Sequence, residues 1–128
     1  MDTLIKETLY KVSENRKIYE NGEYAVRDHL INPILNCLGW STSNPKFVIP
    51  NLKTEGRDIP DYTLFKNGMR ILFVEAKNLS VDLKNEIQQL ARYCYNEGTE
   101  FGVLTNGINW ILFRTFSKGT TLKERIIW

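Results

Sequence analysis

Asp61, Glu75 and Lys77 are the residues of this chain whose types and spacing could do chemistry. They bracket an apolar stretch, Tyr62-Thr63-Leu64-Phe65 and Ile71-Leu72-Phe73-Val74, interrupted by Asn67-Gly68. Alternate residues of a strand project to one face, so Glu75 and Lys77 point the same way. Buried charges are costly unless they are paired or coordinate a metal, which puts this pair at a strand end beside a polar cleft. The chemistry open to such a set is cation-assisted hydrolysis of a phosphodiester. Mg²⁺ takes oxygen ligands at about 2.1 Å and keeps several waters, so two carboxylates and a carbonyl suffice. Asp61 and Glu75 would supply the carboxylates and the Ala76 main chain the carbonyl. Lys77 would orient or help deprotonate the attacking water and offset negative charge in the transition state. The competing reading is a surface ion pair between Glu75 and Lys77, a common pattern on strands.

Face parity decides whether the three groups can meet. A two-residue Asn67-Gly68 turn pairs Lys66 with Met69 and turns Asp61 away from Glu75. A three-residue loop, Lys66-Asn67-Gly68 with Gly68 left-handed, pairs Phe65 with Met69 and brings all three to one face. A working site therefore requires the longer loop or a compensating bulge.

The elements that must carry this hairpin are legible from periodicity. A helical leader occupies about residues 1–40. Its first helix runs from about Thr3 to Tyr19 and breaks at Asn21-Gly22. Its second carries the stripe Tyr24, Val26, Leu30, Ile31, Ile34, Leu35 and Leu38, with Gly39 as C-cap and Pro33 kinking or dividing it. Lys46 to Ile49 reads as a short strand stopped by Pro50, and Asn51 to Arg57 as a polar loop. The catalytic hairpin spans about residues 58–78. A helix over about 81–96 follows, with Ser80 as N-cap, Leu83, Ile87, Leu90, Ala91 and Cys94 buried, and Gly98 closing it. Phe101 to Leu104, Ile108 to Phe116 and Glu124 to Trp128 read as strands. The expectation is an α/β fold in which a mixed central β-sheet is flanked by helices.

Size and composition limit the alternatives. A chain of 128 residues, 25% charged and 42% hydrophobic, is one domain with one core. A net charge of +2 neither demands nor excludes a nucleic-acid partner, because acidic metal ligands offset phosphate-binding cations. Cys37 and Cys94 form no Cys-x-x-Cys, and His29 alone cannot complete a zinc set. Both thiols are expected to be buried in a reducing compartment. The first residues lack the pattern of a signal peptide, and no apolar run approaches membrane-spanning length, so a soluble cytoplasmic setting is expected.

The hairpin and the helix after it resemble the PD-(D/E)xK nuclease superfamily. Pro60-Asp61 matches its PD element and Glu75-Ala76-Lys77 its ExK element. Gln89-Leu90-Ala91-Arg92-Tyr93 resembles the QxxxY motif that follows the ExK strand in a narrower group, and residues four apart share a helical face. Two further stretches are similar to the amino-terminal nuclease domain of type I restriction enzyme R subunits. One runs from Glu23-Tyr24-Ala25-Val26-Arg27 through Leu30-Ile31-Asn32-Pro33-Ile34-Leu35 to Leu38-Gly39-Trp40. The other is Gly102-Val103-Leu104-Thr105-Asn106-Gly107 followed by Trp110. PD and ExK are weak singly, but five elements in matching order, from about Glu23 to Phe113, are specific.

The resemblance implies a restriction-endonuclease-like core and a Mg²⁺-dependent DNA endonuclease, with Mn²⁺ able to substitute. It implies Asp61, Glu75 and the Ala76 carbonyl on the metal, with Glu23 as an extra acid and Glu20 its competitor. Lys77 would serve the water. Gln89 would meet the active site or the DNA backbone, Tyr93 would pack or touch phosphate, and Arg92 would join them in binding substrate. Arg57, Lys53, Arg114 and Lys118 are further candidates for phosphate contact. Trp40 and Trp110 could stack on bases, although packing is the commoner role. The family domain usually precedes an ATP-driven translocase, and the chain carries no GxxxxGK[ST] loop. A separate translocase or recognition subunit, or a homodimer, would complete it. A non-catalytic DNA-binding or assembly module and a Holliday-junction resolvase share this fold and stay open.

Overall fold

Asn67 and Gly68 form a two-residue turn with φ of 54° and 77°, the mirror-image type whose twist suits a hairpin. It joins β2 (Tyr62–Lys66) to β3 (Met69–Ala76) and pairs Lys66 with Met69. The longer loop is therefore not used. The register instead shifts between Leu64 and Phe65: Phe65 pairs with Arg70, but Leu64 pairs with Leu72, which leaves Ile71 as the extra residue of a bulge. Beyond the shift, Thr63 meets Phe73 and Tyr62 meets Val74, so Asp61 arrives on the face of Glu75.

The structure is a computed structural model that describes every residue except Arg57. Three more strands complete a mixed sheet in the order β1-β2-β3-β4-β5, with β1 at Val48–Pro50, β4 at Phe101–Thr105 and β5 at Trp110–Arg114. Only β3 and β4 run parallel, Glu75 beside Leu104 and Ala76 beside Thr105. A parallel neighbour needs a crossover, and the helix α5 (Ile87–Glu97) supplies it. Gly98, at φ 71°, ends α5 in the left-handed cap that glycine adopts without strain.

The sheet separates two cores by strand alternation. Tyr62, Leu64, Val74, Ala76 and Val103 face the leader, where they meet Val12, Tyr19, Val26, Leu30, Ile31 and Leu35. Phe73, Leu104 and Phe113 face the α5 side with Leu83, Leu90, Ala91 and Cys94. Full burial of a Val, Leu, Ile or Phe side chain is worth about 1.5–3 kcal/mol, so the leader stripe, with Val26, Leu30, Ile31 and Leu35 buried, anchors its face more strongly than α5, with Leu90, Ala91 and Cys94, anchors the other. Trp40 and Trp110 are partly buried against the leader-side core, which assigns both to packing.

The leader is more broken than its periodicity suggests. α1 (Asp2–Glu14) and α2 (Arg16–Asn21) divide at Asn15, and Gly22 is extended before α3 (Glu23–Ala25). A π-helical stretch, Val26–Ile31, then leads into α4 (Asn32–Cys37). Pro33 accounts for this widening: lacking an N–H, it cannot bond the His29 carbonyl four residues back. That oxygen accepts from Lys11 Nζ at 3.2 Å instead. Cys37, expected inside, is exposed because it follows buried Leu35 by two residues and so stands across the helix from the stripe.

Other boundaries move for local reasons. The segment before α5 is a 3₁₀ turn, Leu83–Asn85, capped by Asp82 accepting from the Lys84 N–H at 3.1 Å. Ser80 is not a cap; its N–H and hydroxyl both donate to the Asn78 side chain. β5 starts late because the Asn106 side chain accepts from the N–H groups of Ile108 and Asn109. The expected final strand is instead a short helix, α6 (Leu122–Arg125), with Thr121 as its cap. Beyond it Ile126 bridges Phe113, and the main chains of Ile127 and Trp128 bond that of Leu112, so the end of the expected strand does pair with β5. Among the described residues no helix is long and apolar enough to cross a membrane.

Gly107 joins the two layers. Its φ is 90°, and a Cβ there would lie 2.6 Å from the Cβ of Leu30. We expect Gly107→Ala to lower stability by on the order of 2–4 kcal/mol through strain and overpacking, read as a drop in the urea midpoint. An unchanged midpoint would mean that the leader does not press on this turn.

Candidate active site

The carboxyl-terminal end of β3 brings the expected groups together. Asp61 stands just before β2, on the face shared by Glu75 and Lys77 once the bulge has restored parity. One oxygen of its carboxylate, Oδ2, accepts the Ala76 N–H at 2.7 Å, which ties the two strands at this corner. The Lys77 N–H continues the parallel ladder, donating to the Thr105 carbonyl at 2.9 Å. Glu75 and Lys77 line a cleft of about 100 Å³ with Asp58, Ile59, Pro60, Glu86, Gln89, Leu90 and Tyr93.

Electrostatics single out Glu75. Burial raises its pKa first, and hydrogen bonding and charge repulsion from Asp61 add to this, while Lys77 pulls the other way; the result is about 8. Two carboxyl groups so close cannot both ionise without a cation between or beside them. Glu23 is raised too, by burial and then by Asp61, and is lowered by Lys77 and Arg27. Glu23 thus lies within the field of this cluster. Its competitor Glu20 is spent in an exposed pair with Arg16 at 2.9 Å.

Among the described residues, no three His, Cys, Asp or Glu side chains form a ready-made cage for a metal. The donors at this corner are two carboxylates and main-chain oxygen. That all-oxygen set fits a hard divalent cation that retains water, and it lacks the thiolate or imidazole that zinc prefers.

The helix α5 forms the opposite wall. Gln89 reaches the cleft with an exposed side chain. Tyr93 stacks on Phe73 with ring centroids 5.4 Å apart, and its hydroxyl donates to the Asp58 carbonyl at 2.5 Å and meets the Thr54 hydroxyl. Its contacts therefore hold the strap before Pro60-Asp61. Glu97, one turn further, does likewise by accepting the Gly56 N–H at 3.0 Å. Arg92 is not brought to the cleft wall: it stands exposed to the side of the Gln89 and Tyr93 face.

The other phosphate candidates divide by position. Arg114 pairs with Glu100 at 3.1 Å and lies over Phe101, at the end of β4 remote from Glu75. It and Lys118, in the turn after β5, are therefore not at the cleft. Lys53 is exposed on the strap, beside Arg70 and Glu97. Arg57 lies outside the described residues.

Two residues near this corner were given no role in the sequence reading. Glu86 lines the cleft from the residue before α5. Arg27 is 6% exposed and lies beside Asp61, with Nη1 3.6 Å from Oδ1. The signal for Arg27 was present: it is the one cation on the apolar stripe of the second leader helix, one turn from Glu23 and from Ile31.

Comparison with known proteins agrees with this geometry. The profile of the type I restriction enzyme R protein N terminus matches residues 51–121, from the strap through β5 and the turn after it. The chain belongs to this family. A protein of Methanocaldococcus jannaschii named as a type II restriction enzyme and methyltransferase is 31% identical over 131 aligned positions, which take in 93% of this chain and 11% of the relative. The fragment structure of a protein named as an HsdR subunit of a type I restriction enzyme from Vibrio vulnificus YJ016 superposes with a TM-score of 0.57. It is 23% identical, over 73% of this chain and 21% of that one, and shows the fold. The chain thus spans about a tenth of its curated relative and a fifth of its structural one. It is a nuclease-like R-subunit N-terminal domain with a restriction-endonuclease-like mixed sheet.

The proton affinity of Glu75 has a measurable consequence. The folded chain keeps a proton up to about pH 8 that the unfolded chain releases near the ordinary carboxylate value of 4.5. The stability tied to it is complete below the lower value and is lost as pH rises through the upper one. In chelator, wild type should weaken across this window and Glu75→Gln should not, with urea midpoints at several pH values as the check. Parallel curves for the two proteins would contradict the burial of Glu75 beside Asp61.

Proposed function

We propose that this domain is a divalent-cation-dependent DNA endonuclease, using Mg²⁺ and accepting Mn²⁺. The observation that carries the reading is the approach of Asp61 to Glu75 at the end of β3, with Glu75 and Lys77 lining a cleft opposite Gln89, in a chain of the R-subunit family. Asp61, Glu75 and the Ala76 carbonyl would hold the cation, and Glu23 would join directly or through water. A cation bound there lowers the pKa of water and offsets charge on the phosphate.

The chain's own groups supply the remainder. The Ala76 N–H fixes one Asp61 oxygen and so sets the direction of the other. Lys77 presents its ammonium on the same face as Glu75, where it orients the attacking water and balances charge as the phosphorus is attacked. Gln89 offers an amide from the facing wall, with donors and an acceptor for a phosphate oxygen or a water. Tyr93 supports this arrangement from behind by holding the 54–58 strap. Arg92 and Lys53, both exposed, would meet flanking phosphates along a longer DNA.

DNA is the substrate class, and a separate translocase or recognition subunit, or a second copy of the chain, would bring it to the site. A cytoplasmic setting follows from that role. Purified chain incubated with supercoiled plasmid and Mg²⁺ or Mn²⁺ should nick it, and chelator should stop the reaction. Asp61→Ala and Lys77→Ala should each be slower by about 10²-fold or more. Equal nicking by all three proteins would assign the cleavage to a contaminant. Metal-independent DNA binding without cleavage would favour the assembly-module reading, and preference for four-way junctions a resolvase.

A further inference from the structure

Arg27 is a buried cation whose side-chain hydrogen bonds lead to the strand end beside Asp61. Nη2 donates to the Asp61 carbonyl at 2.9 Å and Nη1 to the Asn51 Oδ1 at 3.2 Å. The Asn51 N–H donates to that same Asp61 carbonyl at 3.0 Å. The guanidinium lies over the Tyr62 ring, 4.8 Å from its centroid, and over the Tyr24 ring at 5.3 Å. Tyr62 is tied back in turn, its hydroxyl donating to Asn32 Oδ1 at 2.6 Å.

We propose that Arg27 is the positioning residue of this site, holding the main chain of Asp61 and Asn51 so that the Asp61 carboxylate stands at the cation position. The proposal rests on the metal-dependent reading above for its purpose, though not for its geometry.

Three features favour positioning over simple core filling. A buried ion pair is often no more stabilising than apolar side chains of equal volume, so stability alone does not call for an arginine here. The fork is used as a fork: two nitrogens serve two acceptors that flank different strands, Asn51 after β1 and Asp61 before β2, while the flat face sits against aromatic rings, which a lysine cannot reproduce. The distance to Asp61 Oδ1, 3.6 Å, is within an ion pair but beyond a hydrogen bond. Arg27 therefore supplies field and fixes backbone without itself taking that oxygen as a hydrogen-bond acceptor.

The leader explains how Arg27 reaches the site. The Asn32 N–H bonds the Arg27 carbonyl five residues back, as a π turn requires. The wider turn changes the angular spacing between Glu23, Arg27 and the stripe below, so Leu30 and Ile31 stay in the core while Arg27 meets the strand end. Such turns are frequent at functional sites.

The test uses the whole chain, ¹⁵N-labelled and metal-free, as wild type, Arg27→Lys, Arg27→Met and the double variant Arg27→Met with Asp61→Asn. The Ala76 amide reports the Asp61 carboxylate and the Asn51 amide its carbonyl. Both should exchange with solvent at least ten times faster in the single variants, while Phe73 and Leu104 keep wild-type protection. Titration with MnCl₂ alone should show at least tenfold weaker binding to Arg27→Lys. If Arg27→Met fails to fold, the proposal expects Asp61→Asn to restore folding, since the neutralised partner no longer needs a counter-charge; failure to restore it overturns the proposal. Unchanged Ala76 and Asn51 exchange in folded single variants also overturns it, while Mn²⁺ binding by wild type would leave the nuclease reading intact. The converse result, altered amides but no Mn²⁺ binding by wild type, supports the positioning role and sinks the metal reading.

Discussion

A strand has two faces, and a single residue of register decides which of them a side chain occupies. The site depends on that parity. Asn67-Gly68 strongly favours a two-residue turn, which by itself would put Asp61 and Glu75 on opposite sides of the sheet. The bulge at Ile71 changes the count and brings the carboxyl groups together. Turn chemistry and site geometry are thus in local conflict, and the hairpin resolves it in its middle, away from both ends. The outcome is a pair of acids on one face of a sheet whose alternate positions are filled by Val74, Ala76 and Tyr62 of the leader-side core.

Close acids create an electrostatic debt, and the surrounding elements are arranged to meet it. Lys77 answers on the strand itself, and Arg27 answers from the leader. The Ala76 N–H takes a share of Asp61 directly. Even so, Glu75 holds its proton well above the ordinary carboxylate range, because burial and the neighbouring acid outweigh Lys77. The corner thus gathers more acid groups than its own cations can hold ionised, and it meets the excess by keeping a proton on Glu75. The two layers contribute differently: the leader closes the corner with Arg27 and Glu23, while α5 leaves it open toward Gln89.

Much of this was readable from residue types and order. The hairpin, the leader stripe, α5 and the short apolar β4 follow from periodicity and turn residues, and the mixed sheet follows from their succession. Asp61, Glu75 and Lys77 stand out by type and spacing, and Gln89 and Tyr93 by their resemblance to the QxxxY motif. What periodicity misses is competition between local hydrogen bonds. Asn106 takes the N–H groups that would have started β5 early, Asp82 displaces Ser80 as a cap, and Thr121 starts a helix where apolar residues suggested a strand. Cys37 was misjudged and Arg27 given no role for one shared reason: composition reports what a residue is, whereas helical angle decides where it points. The first is an apolar residue turned outward and the second a charge turned in.

From residue order alone came the α/β class, the five ordered motifs and the chemistry their side chains can perform, since these depend on residue type and near-neighbour spacing. Tertiary structure decided that parity is restored by a bulge, that Tyr93 holds the strap, that Arg92 and Arg114 stand off the cleft, and that Arg27 reaches Asp61. The Tyr93 and Arg27 findings turn on contacts between segments tens of residues apart, 35 positions from Asp58 to Tyr93 and 34 from Arg27 to Asp61. Such contacts exist only after two cores have packed on opposite faces of one sheet, and no local pattern encodes them.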